Sequence, residues 1–160
     1  MLWVFLQRYS GSDFRKRKNN QREDFWKKMR KFKVGDREIF SKTLTETDIY
    51  GFAGISGDFN PIHVNRIEAE KSRFGRQVCH GMLVASLISA GIGMKLPGPG
   101  AIYLEQNLKF LKPVFVGDTV TAQVEVASVD ADRLALITTV VNHEGELVIS
   151  GDARVMVSDG

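Results

Sequence analysis

The chain has 160 residues, 43% hydrophobic and 26% charged, with a formal net charge of +3 and a single cysteine, Cys79. That length suits one domain, and the composition excludes a collagen-like or wholly disordered chain. A lone cysteine excludes an internal disulfide framework and a multi-cysteine zinc site; it suits a reducing compartment.

The charge is uneven. Residues 1–33 hold 11 Lys/Arg against 3 Asp/Glu, and the remainder holds 11 against 16. A basic arm therefore precedes a mildly acidic body. Such an arm suits nucleic acid or an anionic surface, but no nucleic-acid-binding motif accompanies it, so nucleic acid is not the expected partner. The opening run Met1–Leu6 is shorter than the roughly 7–15 residues of a secretory apolar core. Residues 1–32 are read as an extension outside the fold. They are disordered, or not translated at all if synthesis starts at Met29, or a mitochondrial transit peptide. Low hydrophobicity with high charge argues against folding of residues 7–24.

Residues 37–43 can supply a strand. Thr45-x-x-Asp48 resembles a capping box, with Asp in place of Glu. Ile49, Phe52 and Ala53 follow at helical spacing, and Gly54 and Gly57 end the segment. Asp58 to His63 reads as a loop, because Pro61 restricts Asn60 to extended geometry. Residues 66–73 suit a short polar helix. Met82 to Lys95 is apolar on nearly every face, which predicts a helix buried all round, about 21 Å long. Leu96-Pro97-Gly98-Pro99-Gly100 stops it.

The period then becomes two. Ile102, Leu104, Leu108 and Phe110 are expected on one face, opposite Tyr103, Glu105, Asn107 and Lys109. Val120, Ala122, Val124 and Val126 alternate with polar residues. Leu134 to Val141 is apolar on both faces, as in a strand covered on both sides. Leu147, Ile149, Ala153, Val155 and Val157 form a further face. Turn residues separate these runs. The expected fold is α+β: a four-strand meander plus residues 37–43, about five antiparallel strands in all, wrapped round one buried central helix in the hot-dog arrangement. Open sheet edges and an incompletely covered helix predict pairing with a second copy of the chain. No apolar run reaches the roughly 18 residues of a membrane span.

Asp58 and His63 stand five residues apart around Pro61. A carboxylate and an imidazole converging from one loop can hold one water and move its proton; equally, Asp58 can cap the local backbone and His63 can lie on the surface. His80-Gly81 opens the apolar helix, where free amides and the positive dipole end suit an oxyanion. Ser86 and Ser89 are the hydroxyls of that helix and normally bond back to a carbonyl one turn earlier. Ser89 can instead orient Asp58 if the loop folds over the helix. His63, His80 and His143 lack metal-ligand spacing, and no cofactor motif is present. Cys79, beside His80 near a helix start, is open to a lowered pKa, but is expected to be a small buried hydrophobe.

Five segments in order carry a family resemblance. They are Gly57-Asp58-Phe59-Asn60-Pro61-Ile62-His63, Phe74-Gly75, His80-Gly81-Met82, Leu96-Pro97-Gly98-Pro99-Gly100, and Lys112-Pro113-Val114-Phe115-Val116-Gly117-Asp118. Over about residues 33–158 the sequence resembles the MaoC-like dehydratases, and closely the (R)-specific enoyl-CoA hydratases. The resemblance implies a hot-dog domain over 33–160, a homodimer, and residues 57–75 overhanging an acyl tunnel. It implies that Asp58 and His63 are the catalytic pair, that the Gly81 amide binds the thioester oxygen, and that Ser89 supports Asp58. Asn60, His80 and Met82 fall at motif positions expected to bind substrate, with Asn60 also organising the loop.

The expected activity is cofactor-free, metal-free, reversible hydration of a trans-2-enoyl thioester to an (R)-3-hydroxyacyl thioester, in the cytoplasm, or in the mitochondrial matrix if the arm is a transit peptide. The carrier is CoA or an acidic acyl carrier protein, which Lys95, Lys109, Lys112 or the arm would meet. An acyl carrier protein dehydratase, a hot-dog thioesterase and a non-catalytic adaptor working through the arm are the alternatives.

Overall fold

Local sequence signals lead into a single antiparallel sheet. The computed structural model describes residues 32–157 together with Asn20, Glu23, Asp24 and Lys27. Those four positions of the arm are exposed and helical; the expectation of an unfolded arm otherwise lies outside the described residues. The elements run β1 (Arg37–Thr43), α1 (Glu46–Ser56), α2 (Pro61–Val64), α3 (Arg66–Lys71), α4 (Gly81–Met94), β2 (Ala101–Phe110), β3 (Thr119–Asp130), β4 (Arg133–Asn142) and β5 (Leu147–Val157). Among the described residues no helix is long and apolar enough to cross a membrane.

The sheet order is β1-β3-β4-β5-β2, with every pair antiparallel. The expected four-strand meander is therefore cut to three strands. β2 does not lie beside β3 but crosses to the far side of β5 and forms an edge. Helix α4 lies against the sheet through Leu83, Val84, Ala85, Leu87, Ile88 and Ile92. The facing row on β3, Val120, Ala122, Val124 and Val126, is buried as its alternation predicts.

Three face assignments change, two of them through bulges. A bulge at Leu104 shifts the register between Tyr103 and Glu105. One extra residue inverts the faces beyond it. Leu108 and Phe110 thus pair with Gly151 and Ile149 on the face of Ala101 and Tyr103, not of Ile102. A second irregularity, near Val148, buries Val148 and leaves Leu147 partly exposed. On β4, Leu134, Leu136 and Val140 are buried while Ile137 is open and Ala135, Thr139 and Val141 are half-buried, so one face of that strand is only partly covered.

Helix α4 is not buried all round either. Met82 is 57% exposed and Met94 72%, and Ser86 and Ser89 lie open on the same helix.

Candidate active site

The site begins where α1 ends. Thr45 caps α1 with both halves of the capping box: Asp48 N donates to Thr45 Oγ1 at 3.4 Å, and Thr45 N donates to Asp48 Oδ2 at 2.9 Å. At the other end Gly57 takes φ 78°, a left-handed conformation that favours glycine, and its amide donates to Ala53 O. That turn delivers Asp58. The Asp58 carboxylate accepts the Asn60 amide at 3.1 Å, and Asn60 Oδ1 in turn caps α2 by accepting from Ile62 N at 3.3 Å. Pro61 starts this one-turn helix, because its fixed φ and missing N–H suit a first helical position. Residues 61–63, expected as loop, are therefore helical.

His63 sits on that turn and is 9% exposed. Its Nδ1 lies 2.6 Å from Val78 O. A carbonyl only accepts, so Nδ1 carries the proton and a neutral His63 has its Nε2 bare. The neighbouring segment clamps this arrangement: Gln77 Nε2 donates to His63 O at 3.0 Å and Val78 N donates to Ile62 O at 3.2 Å. From α1, Tyr50 OH donates to Val64 O at 3.2 Å. Sequence reasoning missed Gln77, Tyr50 and the Val78 carbonyl. A backbone carbonyl leaves no trace in side-chain patterns, and the two side chains meet α2 only through the fold.

His80 completes the cluster. Its ring stacks on His63 with centroids 3.9 Å apart, and its Nε2 lies 2.9 Å from the Asp58 carbonyl. Ligand-type atoms of Asp58, His63 and His80 all lie within 4.8 Å of one another. Chain spacing does not reveal that grouping, since His80 lies 22 positions beyond Asp58 and only the fold brings them together. The three side chains are of a type that can ligate a divalent metal, but one nitrogen on each histidine is already committed to a backbone carbonyl.

Gly81 begins α4, and among the described residues its amide has no acceptor. A Cβ at Gly81 would stand 2.9 Å from the Phe110 ring, so a side chain there would displace that ring. Gly81 and His63 line one cleft of about 300 Å³, together with Phe74, Phe110, Arg73 and Lys112. The Arg73 guanidinium lies over the Phe74 ring at 4.7 Å, and Arg76 lies over Phe115 at 3.7 Å. Cys79 also lines the cleft, but burial pushes its thiol up to about 12, the reverse of an activated thiol.

The structure brings Asp58, His63 and His80 together with Gly81 close by. Asn60 caps α2 through its side chain. Met82 is exposed, and neither it nor Asn60, His80 or Asp58 lines the cleft. Ser89 lies exposed on α4, and the Asp58 carboxylate accepts from the Asn60 amide. Ser86 bonds back to Leu83 O at 2.6 Å.

Comparison with known proteins gives a consistent picture. The family model described as "MaoC like domain" matches residues 33–146. An (R)-specific enoyl-CoA hydratase of Rhodospirillum rubrum is 48% identical over 126 residues, covering 78% of this chain and 88% of that protein. A 3-hydroxybutyryl-CoA dehydratase of Methylorubrum extorquens is 43% identical, covering 78% and 80%. Among solved structures, the (R)-hydratase from A. caviae involved in PHA biosynthesis superposes with a TM-score of 0.78 at 41% identity, covering 80% of this chain and 98% of that one.

Proposed function

The chain belongs to the MaoC-like domain family, and from that premise we propose that it is a hydro-lyase adding water reversibly to trans-2-enoyl-CoA to give (R)-3-hydroxyacyl-CoA. One observation carries the reading: the Asp58 carboxylate and a His63 of fixed tautomer converge beside a cleft that also holds the Gly81 amide. The stereochemistry rests on the printed activity of the relatives.

In the hydration direction one water lies between Asp58 and His63. A proton leaves that water as its oxygen bonds to the β-carbon, and a proton reaches the α-carbon from the same pair of groups. Electron density moves onto the thioester carbonyl oxygen. The Gly81 amide, at the positive end of α4, donates to it as the enolate develops. Ser89 joins this assembly by supporting Asp58 if the loop closes further over α4.

Arg73 and Lys112 line the cleft and suit an anionic thioester carrier, either CoA or phosphopantetheine on an acidic carrier protein. A homodimer and a cytoplasmic location belong to the same proposal. An open β2 edge supports the first, and a lone buried thiol is in keeping with the second.

The test is loss of enoyl-thioester absorbance with crotonyl-CoA, followed by chiral analysis of the product. The expected result is turnover to the (R)-alcohol, reduced roughly 10²–10⁴-fold by Asp58→Asn and by His63→Ala in folded protein. Near-wild-type turnover in either variant removes that residue from the site. Thiol release from saturated acyl-CoA without hydration would replace the whole reading with a thioesterase.

A further inference from the structure

His80 stands at the N-cap of α4, yet its side chain makes no capping hydrogen bond. The imidazole instead reaches back to the loop after α1. Nε2 lies 2.9 Å from the Asp58 carbonyl oxygen, and the ring lies on the His63 ring at 3.9 Å with 29° between the planes. Phe52 of α1 meets the same imidazole at 5.1 Å. His80 is 2% exposed, and among the described residues its buried Nδ1 has no hydrogen-bond partner.

These contacts determine the state of the ring. The Asp58 carbonyl can only accept, so Nε2 carries a proton. The ring is met by Asp58 on the loop, His63 on α2 and Phe52 on α1. Asp58 is bonded to His80 by its backbone and not by its carboxylate.

We propose that His80 is a positioning residue for the hydration reaction: one buried ring holds the Asp58 backbone by a hydrogen bond and the His63 imidazole by stacking, and so sets the spacing between the two catalytic groups. It does not line the cleft and so acts through its neighbours.

The inference rests on the hydratase reading for its kinetic consequence, but its structural half is independent. Long-range proton–nitrogen NMR of the wild-type imidazoles reads tautomer and charge directly. When neutral, His80 is expected as the Nε2–H form and His63 as the Nδ1–H form. A neutral His80 ring that carries its proton on Nδ1 overturns the proposal even if the enzyme is active.

Kinetics supply the second readout. Misplacing a reacting group by about 1 Å can cost about 10²-fold. His80→Leu, which loses the donor and the flat ring, is therefore expected to lower kcat about 10²-fold with KM within about threefold. His80→Gln keeps an N–H donor on a planar group and is expected to recover at least tenfold of that loss. Equal impairment of the two folded variants, or a loss confined to KM, assigns His80 to general packing or substrate binding and overturns the proposal. If His80→Leu does not fold, the NMR result and His80→Gln against wild type still decide. Absence of hydratase turnover in the wild type, with the NMR result as expected, removes the reaction but not the arrangement.

Discussion

Asp58 and His63 are held by different means. The Asp58 carboxylate is exposed and tied to its own loop through Asn60, while His63 is buried and tied to Val78 across 15 residues of chain. The carboxylate is thus the adaptable member and the imidazole the fixed one. Cys79, one residue from His80, behaves as part of the core. A thiol pushed up to about 12 is almost entirely protonated at pH 8, and the thiolate is the reactive form. Native protein should therefore react with iodoacetamide far more slowly than a free thiol, with normal reactivity returning in denaturant. Fast alkylation of the folded protein would place the thiol in a quite different environment. The Asp58-x-x-x-x-His63 spacing was legible from the sequence, but the tautomer of His63 was not, because a main-chain oxygen sets it.

The elements bear out the local signals most closely at α1. Thr45 and Asp48 form the capping box that their spacing predicts. The Thr45 backbone amide is the main reason the Asp48 carboxyl sits below its ordinary range, and Lys42 at 3.1 Å adds to it. A group whose folded pKa is depressed contributes stability above its unfolded value and loses it as pH falls through the folded one. Asp48→Asn should thus be less stable than wild type near neutral pH, and the gap should close below the ordinary carboxylate range. Thr45→Ala should cost about 1 kcal/mol. Urea unfolding at several pH values checks both, and a gap that stays constant down to low pH would exclude the carboxylate as its source. Strand faces were legible only up to the first bulge. Leu104 carries no composition signal for an extra residue, so Leu108 and Phe110 were assigned to the side of Ile102 when they share the side of Tyr103.

At the scale of the molecule, two uncovered surfaces point the same way. Strand β2 is an edge with Ile102, Tyr103, Leu104 and Phe110 all exposed, and α4 leaves Met82 and Met94 open. A long apolar edge invites pairing with another strand. A second copy meeting this one through β2 would satisfy the free edge and cover apolar surface at once. Sedimentation equilibrium should find a dimer in the wild type and a shift toward monomer in Leu104→Lys, whose substituted residue is 48% exposed at the bulge. A monomeric wild type at micromolar concentration would leave those surfaces to some other partner.

By itself the sequence determined most element types, though not the helical turn at Pro61–Val64, together with the central apolar helix and the capping box, and it singled out Asp58, His63 and Gly81 as candidates. These depend on periodicity, turn residues and motif spacing, all of which are local. The tertiary structure alone decided that β2 crosses to β5, that a bulge inverts its faces, and that His80 lies across Asp58 and His63. Those outcomes rest on pairings between segments far apart in the chain and on backbone carbonyls, which every residue possesses and which side-chain identity therefore does not distinguish.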